Sequence, residues 1–142
     1  MPNSIPATTS TKYPFILTTV ATRKAGTTRS AFYTHNETIY APLLQKAAGK
    51  VHPLSWNRQY HVDDAECPTG LSRALIGGSA DEGMDWDCMG EMVFEDELHL
   101  QQFITFMHSD DALEVLAEEE KFVELGLTKL VVMRRGVSER KV

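Results

Sequence analysis

No apolar run in the sequence reaches the length of a membrane span, and the N-terminus lacks the apolar segment of a secretory signal. Basic residues are the minority, with 14 Lys and Arg against 20 Asp and Glu and a formal net charge of −6. A partner with a phosphate backbone, or an anionic membrane surface, is therefore not expected. Cysteine is scarce: Cys67 and Cys88 fit neither a metal-ligand spacing nor a disulfide framework, which suits a reducing, cytoplasmic setting. There is no phosphate-cradling glycine loop and no flavin-type motif. The acidic pairs, Asp63-Asp64 among them, lack the histidine partners usual at a metal site. The chain is expected to work without a metal or an organic cofactor.

What is present fits one domain in 142 residues. Residues 1–12 are rich in Ser, Thr and Pro and read as a disordered arm, residues 13–135 as the folded domain, and residues 136–142 as a basic tail. Tyr13 to Thr22 is a β-branched segment of strand length, closed by the turn-forming Arg23-Lys-Ala-Gly26. Thr27 or Thr28 caps the helix that follows, and Ala48-Gly49-Lys50 ends it. Leu54 to Val62 alternates as a second strand, with Trp56, Arg58 and Tyr60 on one face. Asp63 to Glu82, with Pro68, Gly70, Gly77 and Gly78, is a long loop of the kind that serves as a lid or binding loop. Asp85 to Phe94 is a third strand whose apolar set is Trp86, Cys88, Gly90, Met92 and Phe94. A helix starts at Glu95-Asp96 with Leu100, Phe103, Ile104 and Met107 inward. Another runs from Asp111 to Leu125 with Leu113, Leu116 and Ala117 inward and Glu120 as a candidate to join them. Thr128 to Arg134 is the last strand.

The informative stretch is Phe32 to Leu44. At about 100° per residue, Phe32, Ile39 and Leu43 share one stripe; His35 and Asn36 fall within it and Tyr40 at its edge. An unpaired polar group costs about 1–3 kcal/mol to bury, so these side chains are expected to be hydrogen-bonded inside or to face a cavity. Pro42 cannot donate to the Thr38 carbonyl and predicts a kink or break.

The element order, strand, helix, strand, strand, helix or helix pair, strand, is that of an α+β ferredoxin-like βαββαβ sandwich. With helices on one sheet face only, the other face is expected to be covered by a second copy, giving a homodimer.

Arg23-Lys-Ala-Gly26, Phe32 to Leu44 with its Tyr-Ala-Pro-Leu-Leu ending, Pro53-Leu-Ser-Trp-Asn-Arg-Gln-Tyr60, Asp87 to Glu97, and Glu118-Glu-Glu-Lys-Phe122 together resemble the EthD-domain family. The resemblance is to the small fungal members of aromatic polyketide pathways. It implies a dimeric α+β barrel and an activity in secondary metabolite biosynthesis: a decarboxylase of anthrone-type carboxylic acids, or a related dehydratase or cyclase. The chain departs from the pattern in having Tyr40 where a histidine precedes the helix proline, Asn36 where an aromatic stands, and Trp56 where a histidine is expected.

Residue chemistry agrees with such a reaction. Decarboxylation needs a proton donor and a dry pocket, and no cofactor. His35 is the candidate donor and Tyr40 a candidate hydrogen-bond partner for a phenol or enolate. Arg58 could hold a carboxylate bidentately, or pair with Asp85 or Asp87. Asn36 lies beside them, and Trp56, Trp86 and Phe103 could wall a polycyclic ligand. His108, at a helix end, could reach a pocket mouth, whereas His61 and His99 are expected at the surface and His52 is assigned no role. Glu118-Glu119-Glu120 reads as a solvated face from which Glu120 could turn in as a base. The reading is a cofactor-free lyase that decarboxylates an aromatic polyketide acid; the alternatives are a dehydratase or cyclase, a cofactor-independent oxygenase, and a non-catalytic ligand-binding dimer.

Overall fold

The structure, a computed structural model, describes residues 15–62 and 85–141. The expected N-terminal arm and the loop of residues 63–82, with Cys67, lie outside the described residues. Strand β1 (Phe15–Ala21) leads to helix α1 (Arg29–His35), which passes through a π-helical turn (Asn36–Tyr40) into α2 (Ala41–Ala48). Strands β2 (Ser55–Tyr60) and β3 (Cys88–Phe94), helix α3 (Glu97–Met107), helix α4 (Leu113–Glu120) and strand β4 (Lys129–Met133) complete the order. The sheet runs β2-β3-β1-β4 with every pair antiparallel, the ferredoxin-like arrangement. No helix among the described residues is long and apolar enough to cross a membrane.

Caps and turns follow the local sequence. The Thr28 hydroxyl accepts from the Ala31 N–H at 3.0 Å, and the Asp96 carboxylate accepts from His99 N–H at 2.8 Å. Gly49 ends α2 at φ 54°, a left-handed conformation that favours glycine.

Strand register lays the helix-facing side chains in cross-strand rows. Trp56, Met92, Leu17 and Val132 form one row, and Arg58, Gly90, Thr19 and Leu130 the next. Tyr60, Cys88 and Ala21 form a third. Trp56, Met92 and Leu17 of the first row belong to the main core, with Tyr40, Leu44, Ala48, Phe94, Leu100, Phe103 and Val115, while Val132 at its end is exposed. The third belongs to a smaller cluster around Phe32, Cys88 and Val123. The middle row is the polar gap between them.

Pro42 does not break the first helix. The Ala41 N–H donates to the Asn36 carbonyl five residues back, and the Thr38 hydroxyl donates to the Thr34 carbonyl at 2.6 Å. A π-turn inserts one residue into the helical phase. Ile39 is consequently 48% exposed while Tyr40 is buried, and Leu44 rather than Leu43 is the fully buried leucine. The ideal-helix stripe of Phe32, Ile39 and Leu43 therefore holds only up to the turn.

A similar phase change corrects the last helix. A 3-10 turn (Asp110–Ala112) precedes α4, so Ala112 and Val115 are buried while Leu113, Ala117 and Glu120 are exposed. In α3, Leu100 and Phe103 are buried but Ile104 is exposed. His99 is not a surface residue. Its Nδ1 accepts from the Glu95 N–H at 3.1 Å and its Nε2 faces the Val51 and His52 carbonyls, each at 3.1 Å, so it ties α3 to the turn after α2. His61 is half-buried against the Trp86 ring.

Candidate functional site

The polar gap is built by the first helix over the sheet. His35 and Asn36, the last residue of α1 and the first of the π-turn, are both buried. The His35 Nε2 lies 3.2 Å from Glu118 Oε1, and its ring stacks on Phe122 at 4.1 Å. The Lys121 ammonium at 2.8 Å, and then His35, hold the Glu118 carboxyl below the usual carboxylate range. His35 Nδ1 and Asn36 Oδ1 are buried without a hydrogen-bond partner, against the rule that buried polar atoms are satisfied.

One turn further on, Tyr40 packs edge-on against Trp56 at 5.9 Å and meets the next glutamate of α4, Glu119. Burial, and then the Glu119 charge, push the Tyr40 phenol well above its ordinary value. Burial pushes the Glu119 carboxyl up to about 7, opposed by the Tyr40 hydrogen bond. Two successive residues of α4 thus engage the two polar side chains of the first helix.

On the other flank, Arg58 is held by Glu37 through two hydrogen bonds, Nε to Oε2 at 2.6 Å and one terminal nitrogen to Oε1 at 3.0 Å. The Tyr60 hydroxyl donates to the same Oε2 at 2.5 Å. The Arg58 hydrogen bond holds the Glu37 carboxyl below its usual range. Arg58 also sits 4.4 Å from the centre of the Trp56 ring. Of its two expected partners, Asp87 instead bonds Arg23 at 3.0 Å and lies 3.6 Å from Arg29, and Asp85 is exposed. Beneath, Gly90 leaves space that a Cβ would lose, since that atom would stand 2.6 Å from Thr19 Oγ1 and 2.9 Å from Trp56 Nε1. Trp56 Nε1 is a third buried polar atom without a partner. Burial raises the neighbouring Cys88 thiol to about 11, so it stays protonated at neutral pH.

The structure brings Tyr40, Trp56 and Arg58 together through ring contacts, with His35 and Asn36 one turn earlier on the same helix, His35 against Glu118 and Phe122. It does not bring Phe103, which packs in the core against Phe94 and Phe106, or His108, which is exposed with Nδ1 2.9 Å from the Ile104 carbonyl. Trp86 packs on His61. The sequence reading passed over Glu37, Tyr60, Gly90, Glu118 and Glu119. A glycine inside a strand was the available signal for Gly90; the glutamates lacked one, because their facing depends on the helix phase.

The family model for the EthD domain matches residues 24–126. No curated protein matches the sequence. Among solved structures, an EthD-family protein from Bacillus halodurans is 20% identical, over 86% of this chain and 99% of that one, with a TM-score of 0.53. An Arabidopsis thaliana protein is 8% identical, over 89% of this chain and 100% of that one, with a TM-score of 0.56. Likeness at such identity speaks for the fold alone.

Proposed function

The chain belongs to the EthD-domain family, and from that premise we propose that it is a cofactor-free lyase removing carbon dioxide from an aromatic polyketide carboxylic acid. The observation that carries this reading is His35, a buried imidazole with Nε2 anchored by Glu118 and Nδ1 left without a partner. A ring anchored at Nε2 leaves Nδ1 open to exchange a proton with a ligand, as a donor when the ring is protonated. In the proposed step, His35 Nδ1 protonates the ring carbon that bears the carboxylate. The carbon–carbon bond then breaks, carbon dioxide leaves, and the bonding pair returns to the ring. Glu118 stabilises the imidazolium, Tyr40 hydrogen-bonds the substrate phenol, and Arg58 receives the carboxylate. Asn36 supplies a further polar contact and Trp56 an apolar wall. Water then returns a proton to His35.

The test is incubation with hydroxyanthracene and anthrone carboxylic acids in the presence of chelator, followed by mass spectrometry. A product lighter by carbon dioxide, formed faster than in protein-free controls, is expected. Loss of water instead would make the protein a dehydratase.

The same reading makes the protein a homodimer. Strand β4 is exposed along its whole length, and Val131 and Met133 lie on the sheet face away from the helices. Sedimentation at micromolar concentration is expected to show twice the chain mass, and a species of monomer mass alone would remove the dimer.

A further inference from the structure

A groove of about 340 Å³ opens between the π-turn and the edge strand β2, a size that suits a small molecule. Its lining includes Glu37, Pro42, Pro53, Leu54, Trp56 and Arg58. Trp56 lines the groove, lies 4.4 Å from the Arg58 guanidinium, and packs edge-on against the buried Tyr40.

Arg58 is already occupied. Its Nε and one terminal nitrogen grip the two oxygens of Glu37, the fork-to-carboxylate pairing by which arginine takes a ligand acid. Its other terminal nitrogen donates to the Trp56 carbonyl at 3.1 Å, which fixes the plane of the guanidinium over the indole. Any acid that Arg58 binds through this fork must displace Glu37 from it. The Tyr60 hydroxyl donates to Glu37 as well, so the displaced carboxylate keeps one partner.

We infer that Glu37 is a built-in competitor for Arg58, a latch that makes the groove selective for planar aromatic carboxylates able to stack on Trp56 while replacing the Glu37 carboxylate. The inference rests on the proposed role of Arg58 as the carboxylate's partner. It adds a specificity-determining residue, Glu37, that itself touches no reacting bond. A small aliphatic acid lacks the ring to compensate for the lost ion pair. An uncharged aromatic has nothing with which to open it.

The probes are 2-naphthoate and its uncharged counterpart 2-naphthylmethanol, titrated calorimetrically into the full chain. Glu37→Gln keeps the shape and the acceptor for Tyr60 but gives up the charge. It is expected to tighten naphthoate binding about tenfold and to leave the alcohol within about twofold. Arg58→Lys keeps the charge and loses the fork, and is expected to weaken naphthoate about tenfold without changing the alcohol. Unchanged or weaker naphthoate binding in Glu37→Gln overturns the latch, as does undiminished naphthoate binding in Arg58→Lys. Because the readout is binding, it is separate from turnover. Naphthoate tightening in Glu37→Gln with no decarboxylation of any acid would keep the latch and reject the lyase; decarboxylation without that tightening would do the reverse.

Discussion

Replacing His35 by Gln is expected to lower turnover by about 10²–10⁴-fold while the chain stays folded. Gln keeps an amide N–H that can donate toward Glu118 and fills much of the space against Phe122, so the packing that holds His35 is largely retained. It cannot carry a transferable proton. A histidine that served only the core would give the opposite pattern, a stability loss of about 1–3 kcal/mol with turnover per folded molecule nearly unchanged. The buried Nδ1 without a partner separates these expectations in advance, because a purely structural histidine usually has both nitrogens satisfied. His99 is the internal control: each of its nitrogens has a backbone partner. Its replacement is expected to lower stability and not turnover. Measuring unfolding midpoints and rates on the same preparations decides between the two patterns.

The fold was legible because its signals are local and repeated. Strand alternation put Trp56, Arg58 and Tyr60 on one face, and Cys88, Gly90, Met92 and Phe94 on theirs, and the register confirms both sets. The element order then leaves few topologies. Helix phase was less legible. The π-turn exchanges Ile39 for Tyr40, and the 3-10 turn before α4 exchanges Leu113 for Ala112. Both are one-residue changes that an ideal 3.6-residue period cannot contain. They matter to the site because they decide which polar groups turn inward. Tyr40 moves from the edge of the stripe to its centre, and Glu118 and Glu119, not Glu120, come to face the first helix. Arg58 shows a different limit. Its sheet face was readable from alternation, but its partner, Glu37, is contributed by a helix 21 residues earlier, and charge pairing across that distance leaves no pattern in the sequence.

Glu119 makes the second large expectation. Its carboxyl is raised to about 7 from an ordinary value near 4.5, chiefly by burial. Between those values the folded chain holds a proton that the unfolded chain releases, so stability should fall as pH rises through this window and level off above about 7. Glu37 and Glu118, whose carboxyls are lowered, act at more acidic pH: they favour the folded state above the ordinary carboxylate value and lose that contribution as pH falls through their folded values. Glu119→Gln removes the penalty of an ionised carboxylate beside Tyr40 and keeps an oxygen to accept its hydrogen bond. The variant is expected to match the parent near pH 4.5 and to exceed its stability by about 1–3 kcal/mol at pH 8, allowing for the partial exposure of the side chain. Urea unfolding of both proteins at pH 4.5, 6 and 8 measures this directly. A stability difference that stays constant across the three pH values would mean that Glu119 does not titrate in this window. It would then carry its charge at neutral pH, and Tyr40 would face a carboxylate rather than an acid.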